Sequence, residues 1–334
     1  MKTHLQLLES EFETASRDLS RMRQALEGAI VGQRQLITEL LTTVFAGGHV
    51  LMEGLPGLGK THLAKGLAAA MGMTLSRVQC TPDLMPADIT GSEVLVTGDG
   101  GAQKLEFRRG PVFASMVLVD EVNRATPKTQ AALLEAMQES QVTHAGQSHP
   151  LPSPFWVIAT QNPIEVEGTY PLPEAQLDRF MAKVDVGYPD AEALMSLLDI
   201  SLDDEPSDHM QTVIQPSRVR EIMNLIKGVV IAQPLRQAAV DLVLATLPAR
   251  RRGSELATRH FKYGASPRGL QSLLRSARVL AVLNNRVQVD MEDLYRVAPQ
   301  VLRHRILLKV ESELEGVDVN HILGQILMDW KEQH

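Results

Sequence analysis

Cysteine, aromatic residues and long apolar runs are all scarce in this chain, and each scarcity excludes a class of protein. Cys80 is the one cysteine among 334 residues, which excludes an intramolecular disulfide framework and cysteine-rich zinc modules. No apolar run approaches the length of a membrane span, and the N-terminal segment mixes acids and bases where a signal peptide would be apolar. We therefore expect a soluble, cytoplasmic protein.

Excess positive charge is also missing. The formal net charge is -7, which argues against a surface built as a whole for nucleic acid or anionic lipid. A helix-turn-helix pattern, a zinc finger and an aromatic-basic stripe are likewise not evident. At 44% hydrophobic residues the chain can bury a substantial core, and its length suits two domains.

Short apolar segments alternate with helical patterns over roughly the first half of the chain. An amphipathic helix is predicted over the first thirty residues or so, another over 36–45 and another over 126–139. Because runs such as M-V-L-V and W-V-I-A lack polar alternation and helical segments lie between most of the strands, we expect a parallel five-stranded sheet with helices on both faces. The predicted strands are 49–52, 75–78, 116–120, 156–160 and 183–186.

The pattern changes after residue 190, where almost everything is helical in period. A polar stretch at 201–217 predicts a connecting loop. The sequence thus predicts an α/β domain over residues 1–190 and an all-α domain over 191–334. Helices in this second half are predicted at 191–200, 216–228, 234–249, 267–284 and 291–302.

A glycine-rich loop carries the clearest chemical signal. It reads G-L-P-G-L-G-K-T, follows the first predicted strand and opens a helical pattern, as a phosphate-binding loop requires. Glycines let the backbone N–H groups and the helix N-terminus face an anion. Lys60 would reach the β- and γ-phosphates of ATP, and the Thr61 hydroxyl would hold Mg²⁺. The predicted nucleotide contacts are Gly54, Leu55, Pro56, Gly57, Leu58, Gly59, Lys60 and Thr61.

Two later strands end in polar residues that suit the same site. The strand at 116–120 ends in Asp120 followed by Glu121, and the strand at 156–160 is followed by Asn162. Asp120 is predicted to hold Mg²⁺, and Glu121 to polarise the attacking water. Asn162 could position that water against the γ-phosphate. Together these residues predict ATP hydrolysis.

In this order the motifs resemble those of the AAA+ ATPases. The resemblance makes Asn162 the sensor 1 residue. It makes Arg179, in P-E-A-Q-L-D-R-F, an arginine finger that acts on the nucleotide of a neighbouring subunit, since a permanently charged fork suits developing phosphoryl charge. It makes Arg268, in A-S-P-R-G-L, the sensor 2 residue of a helical lid. Val31 and Gly32, in I-V-G-Q, match the segment that packs on adenine.

Longer runs resemble the MoxR group of the AAA+ proteins. They include D-E-V-N-R-A at 120–125, with Val122 where isoleucine is common, V-L-R-H-R-I at 301–306 and T-Q-N-P-I-E-V-E-G-T-Y-P-L-P-E-A-Q-L-D-R-F at 160–180. The resemblance covers residues 30 to 307 or so; residues 311–334 match no motif. It implies a ring, expected to be a hexamer, that remodels a protein client together with a partner carrying a von Willebrand factor A domain.

The resemblance also implies two hairpins, one within 81–108 and one at 140–153, that line the ring's pore in relatives. Leu84, Ile89 and residues 94–96 are candidates for pore-facing or packing positions, and surface hairpins without a substrate role remain an alternative. Three other functions stay open: a nucleic-acid motor, a metal-chelatase ATPase subunit and a nucleotide-binding scaffold that does not hydrolyse ATP. Nucleic acid is the less expected partner because the chain is acidic.

Overall fold

The computed structural model describes residues 4–30, 32–97, 103–163, 168–199 and 210–334. Its strands are β1 (Val50–Glu53), β2 (Leu75–Gln79), β3 (Gly91–Thr97), β4 (Gln103–Arg109), β5 (Met116–Asp120), β6 (Gln141–His144), β7 (Gln147–Pro150), β8 (Trp156–Gln161), β9 (Ala182–Asp185), β10 (Phe261–Tyr263) and β11 (Leu307–Leu308). Its α-helices are α1 (His4–Ala29), α2 (Arg34–Phe45), α3 (Lys60–Ala70), α4 (Pro86–Thr90), α5 (Pro127–Glu139), α6 (Glu174–Leu177), α7 (Ala191–Asp199), α8 (Pro216–Lys227), α9 (Gln233–Ala245), α10 (Glu255–His260), α11 (Pro267–Leu283), α12 (Met291–Leu302), α13 (Val310–Leu314) and α14 (Val319–Gln333).

The five predicted strands form one parallel sheet, in the order β2-β5-β8-β1-β9. Each strand lies within one residue of its predicted bounds. After β1 the chain crosses to β2, the outermost strand on one side, and then returns through β5 and β8. As a result, β1 lies between β8 and β9. Parallel strands end at the same edge, and this order therefore brings the segments after β1, β5 and β8 together at the carboxyl edge of the sheet.

Both faces of the sheet are buried, as the unbroken apolar segments predict. Alternate residues of β5 belong to two separate cores: Met116 and Leu118 to one, Val117 and Val119 to the other. The first core also contains residues of α1, α2, α3 and the C-terminal helices, whereas the second contains residues of α4 and α5. Helices therefore lie on both faces of the sheet, in agreement with the predicted fold class.

The C-terminal half is helical, as predicted, with a small addition. β10 and β11 pair antiparallel within it, which helical periodicity did not indicate. α9 ends at Ala245, four residues earlier than predicted, and α12 has its predicted bounds. Residues 311–334, for which the sequence offered no assignment, contribute to α13 and form α14. Trp330 anchors α14 because its buried indole N–H donates to the Ala238 carbonyl at 2.8 Å.

α1 joins the two halves of the chain. Leu19, Met22 and Leu26 are buried on one face of the helix, in the core that also contains α11 and α12. Asp18 accepts a hydrogen bond from Arg218 of α8 at 2.8 Å. The predicted domains 1–190 and 191–334 thus share a continuous hydrophobic core on one face of the sheet. Within the described ranges, no helix has both the length and the apolar character needed to cross a membrane.

Two antiparallel hairpins, β3–β4 and β6–β7, occupy the segments where the family resemblance implies them. They contact each other through the Phe107 ring, which stacks on His149 at 4.3 Å and on His144 at 5.0 Å between ring centroids. Ile89 is buried and therefore packs inside, whereas Leu95 is 59% exposed. Of the candidate positions, Leu95 is the most exposed to a partner molecule, and Leu84, Val94 and Val96 are half-buried.

Candidate active site at the carboxyl edge of the sheet

The glycine-rich loop connects β1 to α3 at the carboxyl edge of the sheet. Gly57 and Gly59 have positive φ, 82° and 76°, and a Cβ at either position would meet nothing within 4 Å. The loop therefore has the left-handed backbone that glycine allows, around open space. The Lys60 ammonium donates to the Gly54 carbonyl, which holds it over the loop. Burial lowers the pKa of Lys60, against the opposing charges of Asp120, Glu121 and Glu53.

Asp120 and Glu121 lie beside the loop because β5 is separated from β1 only by β8. Asp120 is buried, and its Oδ2 lies 3.4 Å from the Thr61 hydroxyl. Thr160 of β8 ties the two acids together: its hydroxyl donates to Asp120 Oδ1 at 3.2 Å and accepts from the Glu121 amide at 2.9 Å. Glu121 has φ of 55°, a left-handed conformation that is costly for a residue with a Cβ. Its side chain lines the cleft beside the loop.

Arg77 of β2 also belongs to this cluster, although the sequence analysis did not include it. Its Nε donates to Asp120 Oδ2 at 2.7 Å, and Nη2 donates to Gln79 Oε1 at 3.2 Å. The available signal was an arginine in a predicted strand, L-S-R-V at 75–78, whose other residues are uncharged. Its significance depends on β2 lying next to β5, and the strand order is not readable from local pattern.

Glu121 and Asn162 are each connected to the short segment after β5. Arg124 Nη1 donates to Glu121 Oε2 at 2.9 Å, so the predicted base is held by an ion pair in this conformation. The Asn123 side chain donates to the Asn162 carbonyl at 3.4 Å. The segment after β5 and the segment after β8 are thereby linked directly.

A cleft of about 270 Å³ brings together Lys60, Thr61, Asp120, Glu121 and Asn162 of the predicted site. Of the other loop residues, Leu58 packs on the core and Leu55 is 40% exposed, so the loop contributes its backbone more than its apolar side chains. The cleft is lined by Pro56, Gly57, Gly59, Lys60, Thr61, His62, Arg77, Gln79, Asp120, Glu121, Thr160 and Asn162.

The predicted adenine segment is described only in part, since Val31 lies outside the described residues. Gly32 has φ of 76°, and a Cβ there would lie 2.4 Å from the Ala193 Cβ at the start of α7. The Gln33 side-chain amide donates through Nε2 to the Gly187 carbonyl at 3.3 Å. This segment therefore contacts the junction between the sheet and the C-terminal helices.

Arg179 and Arg268 lie at the amino edge of the sheet, where the strands begin. Both line a second cleft, of about 260 Å³, together with Gly48, which precedes β1. Ala182 of β9 pairs with Val50 of β1 in the sheet. Arg179 lies three residues before Ala182, and the loop begins four residues after Val50, at Gly54. At about 3.3 Å per strand residue, the four residues from Val50 to the loop span roughly 13 Å, and Arg179 lies beyond the other end of that span, in the turn before β9.

The two arginines are held next to each other in this second cleft. Arg179 Nη1 donates to the Leu134 carbonyl at 3.0 Å. Arg268 Nη1 lies 3.6 Å from Asp178 Oδ2, on the residue before Arg179. Neither arginine is among the residues lining the cleft around Lys60. The structure therefore groups the sequence-predicted site residues into two sets, one at each edge of the sheet.

The first set suits a nucleoside triphosphate with a divalent cation. The open loop presents backbone N–H groups, Lys60 supplies positive charge, and Thr61 and Asp120 supply oxygen ligands of the kind that Mg²⁺ prefers. Glu121 and Asn162 line the same cleft, where an attacking water would need a base and a hydrogen-bond partner. The arrangement is therefore suited to phosphoryl chemistry.

Comparison with known proteins agrees with the geometry. Residues 49–182 match the family described as "ATPase family associated with various cellular activities (AAA)", and residues 254–326 match the AAA lid domain. The sequence is 37% identical to the uncharacterized protein YeaC of Bacillus subtilis, over 92% of this chain and 93% of YeaC.

Relatives with more informative names agree. The sequence is 36% identical to chaperone MoxR1 of Mycobacterium tuberculosis, over 96% of this chain and 82% of MoxR1. A crystal structure of an inferred ATPase from Cytophaga hutchinsonii is 38% identical, covers 98% of both chains and superposes with a TM-score of 0.88. The fold, the loop and these similarities lead to one conclusion: the chain belongs to the MoxR family of AAA+ ATPases.

Proposed function

We propose that the protein hydrolyses ATP in a ring, with each active site completed by a neighbouring subunit, and uses the energy to remodel a client protein. One observation carries the proposal. The acid, base and phosphate-binding residues share the carboxyl edge of the sheet, whereas Arg179 and Arg268 line a separate cleft at the amino edge, where the strands begin. Head-to-tail contact between subunits would bring the second edge of one subunit against the first edge of the next.

Hydrolysis at such a site depends on positioning and electrostatics. Lys60 would neutralise the phosphates, and Mg²⁺ held by Thr61 and Asp120 would add its charge to the same oxygens. Glu121 would accept the proton of the attacking water, while Asn162 orients that water. Glu121 pairs with Arg124 at 2.9 Å in this conformation and would exchange that contact for the attacking water.

Arg179, supplied by the neighbour, would stabilise charge that develops on the γ-phosphoryl oxygens. An arginine supplied in this way is worth roughly 10³ to 10⁵ in rate. We therefore expect turnover per subunit to rise steeply with protein concentration, because a separated subunit lacks the finger.

Complementation in mixed oligomers tests this proposal. Lys60→Ala removes the phosphate cation but leaves Arg179 intact, and Arg179→Ala does the reverse. Each variant alone should be inactive, and subunits mixed below the assembly concentration and then concentrated together should regain activity. Arg251→Ala, an exposed arginine in the loop after α9, is the matched control and should turn over as the unmodified protein does. No recovery in the mixture would contradict sites shared between subunits.

We also propose a protein client and a partner with a von Willebrand factor A domain. Leu95 and Leu105, paired across the β3–β4 hairpin and 59% and 64% exposed, support a protein-contacting surface on that hairpin. Glu121→Gln should retain ATP and hold such partners long enough for co-purification and identification. Tight, salt-sensitive retention of DNA on filters, without protein partners, would instead favour a nucleic-acid motor.

A further inference from the structure

The residues around Arg179 are held by the C-terminal helical domain, the lid. Asp178 and Phe180 flank Arg179, and Met181 leads into β9. α6, which precedes this segment, is a single turn ending at Leu177. So short a helix cannot hold the arginine rigidly by itself. Besides the hydrogen bond of its own guanidinium to the Leu134 carbonyl, the position of Arg179 depends on what the neighbouring residues contact.

Arg305 of the lid makes most of those contacts. Its side chain is only 1% exposed. Its Nε donates to Asp178 Oδ1 at 2.7 Å, Nη2 to the Phe180 carbonyl at 2.8 Å and Nη1 to the Met181 carbonyl at 3.1 Å. One rigid guanidinium thus holds residues on both sides of Arg179, which a lysine could not reproduce because it lacks the planar fork.

Further lid residues hold the same short segment. The Ser266 hydroxyl donates to Asp178 Oδ1 at 2.9 Å, and Arg268 lies 3.6 Å from Oδ2 of the same carboxylate. His304 Nε2 lies within hydrogen-bonding distance, 3.1 Å, of the Phe180 carbonyl. These contacts come from the start of α11 and the turn after α12, so they move with the lid.

We propose that Arg305 is a positioning residue for Arg179, and that through it the lid of one subunit sets the arginine presented to the next subunit's nucleotide. The inference rests on the proposed function, in which Arg179 acts on a neighbour. It adds a direction to the coupling: a change in the lid of one subunit changes hydrolysis in the adjacent subunit. Arg305 itself touches no nucleotide.

Arg305→Lys tests the proposal, because it keeps the charge beside Asp178 and loses the contacts to the two carbonyls. A displacement of the order of 1 Å at a catalytic group costs about 100-fold, so we expect turnover of the assembled variant to fall about 10- to 100-fold. ATP affinity should stay within about twofold of the unmodified protein, since the affected edge is distant from the loop. Asp178→Asn, which removes the carboxylate charge that Arg305 contacts, should behave in the same way and carries the test if Arg305→Lys does not fold.

Mixing separates positioning from general damage. Lys60→Ala subunits carry an intact Arg179, so adding them to Arg305→Lys should restore turnover, as they should for Arg179→Ala. Arg286→Lys is the matched control: it alters an arginine that pairs with Asp293 inside the lid at 2.8 Å, and it should change turnover less than twofold.

Several results would overturn the inference. Turnover of Arg305→Lys or Asp178→Asn within twofold of the unmodified protein would show that the lid contacts do not set the finger. Recovery of Arg179→Ala but not of Arg305→Lys by Lys60→Ala subunits would place the defect in the variant's own site. If Arg179→Ala itself is not restored, the shared active site fails, and the positioning role fails with it.

Discussion

A buried histidine next to β1 should make the protein's stability depend on pH in a calculable way. His49 lies between three elements: its Nδ1 accepts from the Val157 amide of β8 at 2.9 Å, and its Nε2 donates to the Met137 carbonyl of α5 at 3.2 Å. These bonds require the neutral imidazole. Burial lowers the pKa of His49 to about 4; the Met137 hydrogen bond opposes the shift, and the nearby charge of Arg275 adds to it.

The sign and size of the effect follow from that pKa. As pH falls, the unfolded chain takes up the proton near 6.5 and the folded protein only near 4, so protonation favours unfolding. The contribution to the free energy of unfolding is complete above pH 6.5 and is lost between pH 6.5 and 4. At about 1.4 kcal/mol per pKa unit, the full loss is about 3 kcal/mol, of which about 2 kcal/mol is lost by pH 5.

Chemical unfolding of the protein and of His49→Gln at pH 7.5, 6 and 5 measures this contribution. An amide can accept and donate as the neutral imidazole does, but it does not titrate. We expect the variant to be less stable at pH 7.5 and to lose about 2 kcal/mol less than the unmodified protein by pH 5. His304, whose pKa burial also lowers, is present in both proteins and cancels. Parallel loss of stability in the two proteins would refute the reasoning.

Three further predictions concern single side chains. Arg268→Ala should lower turnover of the assembled protein without changing the ATP affinity of separated subunits, measured by fluorescent nucleotide titration; weaker binding by separated subunits would contradict the placement of Arg268. Trp156→Phe should lower the free energy of chemical unfolding by about 1–3 kcal/mol, because the Trp156 indole donates to the Val44 carbonyl at 2.9 Å and phenylalanine leaves that buried carbonyl without a donor. An unchanged unfolding midpoint would show that the hydrogen bond is dispensable. Cys80 is buried, and burial raises the pKa of its thiol to about 12, so alkylation at pH 8 should require unfolding; rapid labelling of the native protein would contradict this.

The local sequence was sufficient for elements whose signal is local. The G-L-P-G-L-G-K-T loop needs left-handed glycines between a strand and a helix, so its pattern and its structure correspond closely. Thr126 caps α5 by accepting from the Thr129 amide, which a Thr-Pro pair already indicates. The β10–β11 pair escaped prediction because its strands are two and three residues long and are stabilised by contact between distant segments.

Arg77 and Arg305 show what local pattern could not provide. Arg77 becomes part of the nucleotide cleft only because β2 pairs with β5, forty residues further along the chain. Arg305 looked like one basic residue in a family motif; its role as an anchor appears only when the turn after α12 packs on the start of β9. In both cases the partner is fixed by packing of the whole sheet and lid.

The sequence by itself determined the chemistry available to this protein: a phosphate loop, two acids, an asparagine and two arginines, in the order that AAA+ ATPases share. It also determined the alternation of strands and helices, because burial on two faces leaves a continuous apolar pattern. Only the tertiary structure decided which of those residues act together. A parallel sheet has a carboxyl edge, where its strands end, and an amino edge, where they begin. Lys60 and Glu121 lie at the carboxyl edge, and Arg179 and Arg268 lie at the amino edge. Their separation follows from the length of the strands, and it is why a second subunit enters the proposed mechanism.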